Sequence, residues 1–201
     1  MVYLIGVDHV RAQRRKRGEE LTDCQREFQS VVESAIRSID PCLLAEEDHP
    51  EFLSRDGADS ILLGIAMAHR IKNRHRFVDP NDTERERIGY RALYGPPYEA
   101  VLTSAHEITH QFPKREEFWF GKLQDIIDRD ILFVCGWAHI ESFSALLTRK
   151  EVSFSVWANK IGACLSDLEF DDKVRKHIKD NPEEFNSPKC FCQGQFSIPR
   201  A

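Results

Sequence analysis

The sequence predicts an α/β fold in which a largely parallel sheet is flanked by helices. Short apolar runs of strand length alternate with longer segments of helical periodicity. Such alternation is typical of parallel strands, because each crossover helix returns the chain to the same edge of the sheet. With 201 residues, 41% of them hydrophobic, the chain can build one sizeable core and is short for two. We therefore expect a single domain.

The first two strands flank a strongly periodic helix. "VYLIGV" (Val2–Val7) is an apolar run, and "CQREFQSVVESAIRSI" follows with apolar residues at helical spacing. Asp40 and Pro41 end this helix. The next apolar run, Cys42–Glu46, predicts the second strand, and it finishes in two adjacent carboxylates.

The middle of the chain predicts one more helix and one more strand before the pattern is interrupted. "SILLGIAMAHRIK" predicts a helix that buries Leu62, Ile65 and Ala66. "HRFVDP" predicts a short third strand, Arg76–Val78, halted by Pro80. An irregular charged stretch, Asn81–Pro97, follows.

The last part of the main domain repeats the alternation. A helix is predicted from Tyr98 to Gln111, with Pro113 as its end, and "REEFWFGKLQDIID" predicts another. The strand Ile131–Cys135, the helix "IESFSALLTRK" and a final strand, Val152–Val156, complete the sheet. The α/β domain is expected to span residues 1–165. Residues 166–201 are more polar and poorly periodic, which predicts a C-terminal extension.

Charge and hydropathy exclude several classes of partner. The formal net charge of −5 opposes binding to duplex nucleic acid, which needs a surplus of Lys and Arg on one face. One basic segment, Arg11–Gly18, is either a solvated loop or a holder of an anionic substrate group beside His9. No run approaches the ~20 apolar residues that a membrane span needs. We expect a cytoplasmic protein without a membrane partner.

Several polar residues stand where the predicted strands end. His9 follows the first strand in a Gly-x-x-His pattern, and His139 follows "ILFVCG" in the same pattern. Glu46 and Glu47 end the second strand, and Asp79 ends the third. Ligands of parallel sheets bind at the carboxyl ends of the strands, which share one rim. We expect both histidines, one of the glutamates and an arginine to lie together there.

Two imidazoles and a carboxylate form a ligand set suited to Zn²⁺, Mn²⁺ or Fe²⁺, with positions left open for water. We assign His9, Glu47 and His139 as the candidate ligands. Such an ion would lower the pKa of a bound water molecule and so generate a nucleophile for hydrolysis. A second, separate half-site is offered by the C-x-C of Cys190 and Cys192, but no matching Cys or His pair stands near it in the sequence.

Other residues at the rim have candidate roles. Glu46 is the candidate general base, and Arg115 or Arg85 is the candidate holder of an oxyanion or a substrate carboxylate. Asp8 and Asp79 are candidates for orienting a ligating imidazole. Ordinary alternatives are a turn at Asp79 and a solvated side chain at Arg85.

The paired Gly-x-x-His motifs with an intervening Glu-Glu resemble the TraB/Tiki superfamily, which includes erythromycin-esterase-like proteins and ChaN-like haem-uptake proteins. The resemblance spans about residues 1–158, and it is strongest to a small bacterial branch whose further motifs match Ala45–Glu47, Asp79 and Pro80 with Arg85 or Arg87, Arg115 and Glu116 with Trp119, and Cys135–His139. It implies the same α/β fold. It also implies either a metal-dependent hydrolase or, as in ChaN-like members, a haem-binding protein.

A rival metal motif occurs in "HEITH", where His106 and His110 match H-E-x-x-H with Glu107 as the base. This match is rarer by chance than the paired Gly-x-x-His motifs. Its context is unfavourable, because Pro113 closely follows and Glu141 is the one candidate third ligand that we identify. The alternative is an amphipathic helix with two surface histidines.

The sequence thus favours a metal-dependent hydrolase that acts on a peptide, an ester or another small polar substrate. The competing hypotheses are a non-catalytic haem-binding, metal-binding or regulatory protein on the same fold, and an H-E-x-x-H zinc hydrolase.

Overall fold

The computed structural model describes residues 1–91 and 100–186, and a five-stranded sheet forms its centre. The strands in chain order are β1 (Val2–Val7), β2 (Arg14–Lys16), β3 (Leu43–Glu46), β4 (Ala58–Ser60), β5 (His75–Phe77), β6 (Ile131–Gly136) and β7 (Phe154–Ile161). The central sheet has the order β5-β3-β6-β1-β7, and every neighbouring pair in it is parallel. β2 and β4 form a separate antiparallel pair.

Helices connect these strands. In chain order they are α1 (Asp23–Ile39), α2 (Pro50–Arg55), α3 (Ile61–Ala68), α4 (Asp82–Arg87), α5 (Ala100–His106), α6 (Phe112–Leu123), α7 (Ile140–Arg149), α8 (Leu165–Asp180) and α9 (Pro182–Asn186). π-helical turns cover His9–Gln13 and Glu107–Gln111, and 3₁₀ turns cover Lys72–Arg74, Gln124–Ile126 and Trp137–His139.

The central sheet is covered on both faces, as the near-continuous apolar runs of β1 and β6 require. Along β6, Leu132 and Val134 face the layer that contains α1 and α3, whereas Ile131, Phe133 and Cys135 face the layer that contains α6 and α7. This alternation follows the two-residue period of a strand. The predicted α/β fold with a parallel sheet flanked by helices is confirmed.

Helix α1 illustrates how local sequence determines the ends of an element. The Thr22 side chain accepts a hydrogen bond from the backbone N–H of Gln25, whose own side chain accepts one from the backbone N–H of Thr22. This capping box satisfies two N–H groups that the first turn leaves without partners. At the other end Asp40 adopts a left-handed conformation with φ of 45°, and the helix stops there.

The strand order contains a switch point that positions the candidate site. β6 enters between β1 and β3, although both of those strands precede it by many residues in the chain. The chain first builds β1, β3 and β5 with α1 and α3 on one face, and it then returns with α6 and α7 on the other. Crevices at the carboxyl ends of strands beside such a point are where open α/β sheets bind ligands.

Two predicted strands are shifted. β5 covers His75–Phe77 instead of Arg76–Val78, and β7 covers Phe154–Ile161 instead of Val152–Val156. β7 lies at the edge of the sheet, where most of its side chains are exposed, so its polar second half carries no apolar signal. It still pairs with β1 as far as Ile161, through two register shifts.

The predicted stop at Pro113 is wrong. Pro113 lies in the first turn of α6, where the proline's missing N–H is not needed and its φ suits a helix. The chain therefore passes from α5 through the π-helical turn directly into α6. The predicted helix start at Tyr98, and the end of the irregular stretch at Pro97, lie outside the described residues.

The C-terminal extension is more regular than its sequence predicts. Residues up to 186 form α8 and α9, which pack on α5 through a small cluster of Ala105, Val174 and Phe185. Its apolar contacts are too few to produce a strong periodic signal. Cys190 and Cys192 lie outside the described residues. Within the described ranges, no helix combines the length and the apolar character needed to cross a membrane.

Candidate functional site

Three predicted site residues meet at the carboxyl edge of neighbouring strands. His9 follows β1, Glu47 follows β3 and His139 follows β6. Nε2 of His9 lies 3.2 Å from Oε2 of Glu47, and Nε2 of His139 lies 3.7 Å from Oε1 of the same carboxylate. Each imidazole therefore faces a different oxygen of one carboxylate.

Glu47 is a buried anion with several partners. Nη1 of Arg115 lies 2.7 Å from its Oε1, and the backbone N–H of Gly136 donates to its Oε2 at 2.6 Å. Burial by itself would raise the pKa of Glu47, but the charges of Arg115, His9 and His139 outweigh burial and hold that pKa well below its ordinary value. Glu47 is therefore ionised at neutral pH.

The two cations beside Glu47 respond to it in turn. Burial lowers the pKa of His9, but the negative charge of Glu47 outweighs burial and leaves the pKa above 6.5. Burial also opposes the charge of Arg115, while Glu47 and Asp79 raise the pKa of its guanidinium. The His9 side chain is 26% exposed and that of His139 is 4% exposed, so His9 is the imidazole nearer to solvent.

Each imidazole is held by a second hydrogen bond through its other nitrogen. Nδ1 of His9 lies 2.6 Å from Oε1 of Gln13, and Nδ1 of His139 lies 2.8 Å from Oε1 of Glu116. Both of those oxygens are acceptors, so each Nδ1 carries the hydrogen. Nε2 of each ring faces Glu47 and is then the nitrogen that can bind an ion once it has lost its proton, which is the arrangement of a metal-binding histidine with its supporting acceptor.

Aromatic rings fix the plane of His139 as well. Phe112 stacks on the imidazole with ring centroids 3.6 Å apart, and Trp119 meets it edge-on at 4.7 Å. Ser142 also donates to Glu116, which anchors the acceptor of His139. Gln13, Glu116 and Phe112 were not predicted as site residues. A signal for Glu116 existed, because it belongs to the "RE" motif that also contains Arg115.

The donor set fits a divalent ion in kind and nearly in spacing. Two ligands of one tetrahedral zinc ion, each about 2.0–2.1 Å from the metal, stand about 3.3 Å apart. The separations of 3.2 Å and 3.7 Å between the imidazole nitrogens and Glu47 bracket that value. Across residues 1–91 and 100–186, however, no three or more His, Cys, Asp or Glu side chains form a group that meets the requirements of a metal site as they stand. The guanidinium of Arg115 already pairs with one oxygen, Oε1, of the Glu47 carboxylate.

Glu46 does not join this group, although it is adjacent to Glu47 in the chain. Successive residues of a strand point to opposite faces, so the side chain of Glu46 lies beneath the sheet among Gln13, Ser60 and His75. Its predicted role as general base at the rim is therefore corrected.

Asp79 orients an arginine and not an imidazole. It accepts hydrogen bonds from Nε of Arg115 at 2.6 Å, from Nη2 of Arg85 at 2.7 Å and from Nε1 of Trp119 at 3.0 Å. Arg115 thus bridges Asp79 and Glu47. Arg85 is one step further out, with its guanidinium 4.3 Å above the ring of Phe52, so its predicted direct contact with substrate is replaced by support for Asp79.

Asp8 also has a different role from the predicted one. Its side chain caps the π-helical turn by accepting a hydrogen bond from the backbone N–H of Arg11. The basic segment that follows is neutralised rather than free. Arg14 pairs with Asp48 and Asp56, Arg15 and Arg17 pair with Asp59, and Arg11 pairs with Asp8 and Asp167. This pairing argues against an anion-holding loop.

The side chains of the "HEITH" segment lie in two different environments. His106 and His110 stack at 5.5 Å, and His106 packs against Phe185 of α9 at 5.1 Å. His106 is 6% exposed, because α8 and α9 cover it, so the expectation of two surface histidines is wrong for His106. Glu141, the proposed third ligand, instead pairs with Arg175.

Glu107 lies in a different environment from His106. The π-helical turn directs its carboxylate toward Tyr90, whose hydroxyl lies 3.3 Å from Oε1. Burial raises the pKa of Glu107, the charges of Arg115 and His139 lower it, and the net shift is upward. Burial likewise raises the pKa of Tyr90 to about 12. The guanidinium of Arg115 lies 5.6 Å from the centre of the Tyr90 ring, so Tyr90 and its partner Glu107 lie beside the rim site, a position predicted for neither residue.

The glycines of the two Gly-x-x-His motifs allow close approach. A Cβ on Gly136 would lie 2.9 Å from Nε2 of His9 and 3.3 Å from Oε2 of Glu47. A Cβ on Gly6 would lie 2.7 Å from Cγ1 of Ile140 and would also meet Asn159. The repeated motif therefore reflects crowding at the rim, where only a glycine leaves room for the groups that follow the strands.

Comparison with known proteins adds no relative to this picture. No family model, no curated protein and no solved structure matches the chain. The resemblance to the TraB/Tiki superfamily therefore rests on the short motifs alone, and what it implies about activity stays a prediction.

Proposed function

We propose that this protein is a metal-dependent hydrolase of small polar substrates such as peptides or esters, with His9, Glu47 and His139 as the ligands of a divalent ion. One observation carries the proposal: Nδ1 of each imidazole is tied to an acceptor, so both Nε2 atoms converge on the Glu47 carboxylate. Such supported imidazoles are typical of metal ligands.

Each neighbouring residue has a role in this proposal. When bound, the ion would supply a Lewis acid and lower the pKa of water. Arg115, held by Asp79, would orient a carboxylate or an oxyanion of the substrate. Glu107, whose carboxyl group is half-buried beside Tyr90, replaces Glu46 as the candidate general acid or base.

The alternatives are less well supported. The two imidazoles converge within 4 Å of one carboxylate, a spacing that suits a single ion better than a haem plane with its much larger ring. For the H-E-x-x-H hypothesis, Glu107 points toward Tyr90 while His106 packs against Phe185. Glu107 and His106 of the motif therefore lie in different environments and do not face one common site.

The decisive experiment measures metal per chain in gently purified protein and in variants. We expect about one Zn²⁺, Mn²⁺ or Fe²⁺ per chain in the natural protein and a loss of most of it in His9→Ala and in His139→Gln, because each removes one of about three ligands. The double variant His106→Ala with His110→Ala should keep its metal. All variants are compared at one pH after circular dichroism has shown that they are folded.

The reverse result, with metal lost from the double variant and kept in the rim variants, would establish the H-E-x-x-H site instead. A protein that takes up no divalent ion at all, even when supplied with one, would refute both. Hydrolysis of a panel of p-nitrophenyl esters and aminoacyl p-nitroanilides, abolished by chelator and restored by Zn²⁺ or Mn²⁺, tests the catalytic part of the proposal.

A further inference from the structure

We propose that Gln13 is a positioning residue that holds the proton of His9 on Nδ1, and that Glu46, on the opposite face of the sheet, sets the direction of the Gln13 amide. The inference rests on the proposed function only for its metal-binding consequence. It concerns a buried polar network that the sequence analysis did not foresee.

The network runs from one face of the sheet to the other. Gln13 and Glu46 are both fully buried. Nε2 of Gln13 donates to Oε2 of Glu46 at 2.6 Å, while Oε1 of Gln13 lies 2.6 Å from Nδ1 of His9. The other oxygen of Glu46 receives the hydroxyl of Ser60 and faces Nε2 of His75, each at 2.6 Å.

The direction of each hydrogen bond follows from the one before it. Glu46 faces three polar groups and, as a carboxylate, can only accept, so the NH₂ group of Gln13 must be the one that faces it. The carbonyl oxygen of Gln13 must then face His9, and an oxygen of this kind cannot donate. His9 therefore keeps a hydrogen on Nδ1, and Nε2, which faces Glu47, is the nitrogen that loses its proton when the ring becomes neutral.

If the Gln13 amide were reversed, Nε2 of His9 could not bind a metal ion. A reversed Gln13 amide would direct its NH₂ group at Nδ1 of His9, so the hydrogen of a neutral ring would lie on Nε2, where it would donate to Glu47. That nitrogen could then no longer bind an ion. A residue on the far face of the sheet thus decides whether His9 can be a ligand.

The first test observes the proton itself in metal-free protein. Histidine labelled with ¹³C and ¹⁵N distinguishes the two neutral tautomers by NMR, at a pH high enough for His9 to be neutral. We expect the Nδ1–H form for His9. Observation of the Nε2–H form would overturn the inference, whether or not the protein binds metal.

The second test exchanges the two partners. Gln13→Glu sets two carboxylates against each other, and Glu46→Gln removes the group that orients Gln13. We expect each to weaken Zn²⁺ affinity by about 10–100-fold, as the loss of a supporting hydrogen bond to a metal ligand does. The double variant Gln13→Glu with Glu46→Gln again pairs one donor with one acceptor, and it should recover at least about tenfold of that affinity.

Ser60→Ala is the matched control. It removes a hydrogen bond from the other oxygen of Glu46 and the N-cap of α3, so it lowers stability but leaves Gln13 in place. We expect the natural tautomer and natural Zn²⁺ affinity. An equal loss of affinity in Ser60→Ala would show that Gln13 and Glu46 act through stability alone, which would overturn the inference. A natural protein that shows the Nδ1–H form but takes up no Zn²⁺ would refute the proposed function and leave the positioning role standing.

Discussion

At the scale of the residue, Gly136 is where the candidate site is most crowded. Its φ of −55° suits any amino acid, so Gly136→Ala acts through space alone. The added Cβ would lie 2.9 Å from Nε2 of His9, and we expect a loss of about 1–3 kcal/mol in the free energy of unfolding, together with reduced metal content. Urea denaturation and metal analysis measure these effects.

The control for that variant is Gly64→Ala, where an added Cβ meets nothing within 4 Å. Gly64 lies inside α3, so alanine should stabilise the protein by about 0.5–1 kcal/mol. Equal behaviour of the two variants would contradict the crowding argument.

The charge pair of His9 and Glu47 predicts how stability depends on pH in metal-free protein. The pKa of His9 is raised above 6.5, so its contribution is complete below that pH and is lost as the pH rises through the folded-state value. The pKa of Glu47 is lowered from 4.5, so its contribution is complete above that pH and is lost as the pH falls through the folded-state value. We therefore expect His9→Gln to destabilise the protein more at about pH 6 than at about pH 9.

Urea denaturation with chelator present measures this difference. The matched control is His69→Gln, because His69 is exposed and the same substitution there should cost about the same at both pH values. A loss in His9→Gln that is independent of pH would show that packing and not charge explains the effect.

At the scale of the element, α8 and α9 form a unit with α5 that is separate from the main core. Val174 is 1% exposed within the cluster that joins them. We expect Val174→Ala to cost about 2 kcal/mol and to speed amide hydrogen exchange in α5 and α8, while β1 and β6 keep their protection. Leu165→Ala, at the exposed start of α8, should change neither. Faster exchange in β1 and β6 would mean that the C-terminal helices and the sheet unfold as one unit.

At the scale of the whole molecule, the charge distribution predicts weak binding to nucleic acid. The net charge is −5, and the arginines of the basic segment pair with aspartates. We expect no binding to a DNA duplex at micromolar protein in about 0.15 M salt, measured by fluorescence anisotropy. Asp59→Asn, which releases Arg15 and Arg17, should elute later from heparin. Tight binding with a steep salt dependence would contradict this prediction.

Much of the architecture can be predicted from local patterns, because the periods of strands and helices are properties of neighbouring residues. The alternation along the chain predicts a parallel sheet, and the rule that such strands end at one rim brings His9, Glu47 and His139 together as candidates. Boundaries were less well predicted where strand β7 is exposed and where Pro113 begins a helix instead of ending one.

Only the tertiary structure decided which of the two adjacent glutamates faces the histidines. Glu46 and Glu47 are indistinguishable in sequence, and the pleat of β3 turns Glu46 to the other side of the sheet. The partner of the His139 imidazole was equally hidden, since Glu116 meets it across 23 positions. Gln13 is only four positions from His9, but the Glu46 carboxylate that sets its direction is 33 positions away. Contacts at such separations follow from the insertion of β6 between β1 and β3 and from the packing of α6 on the sheet, which no local period encodes.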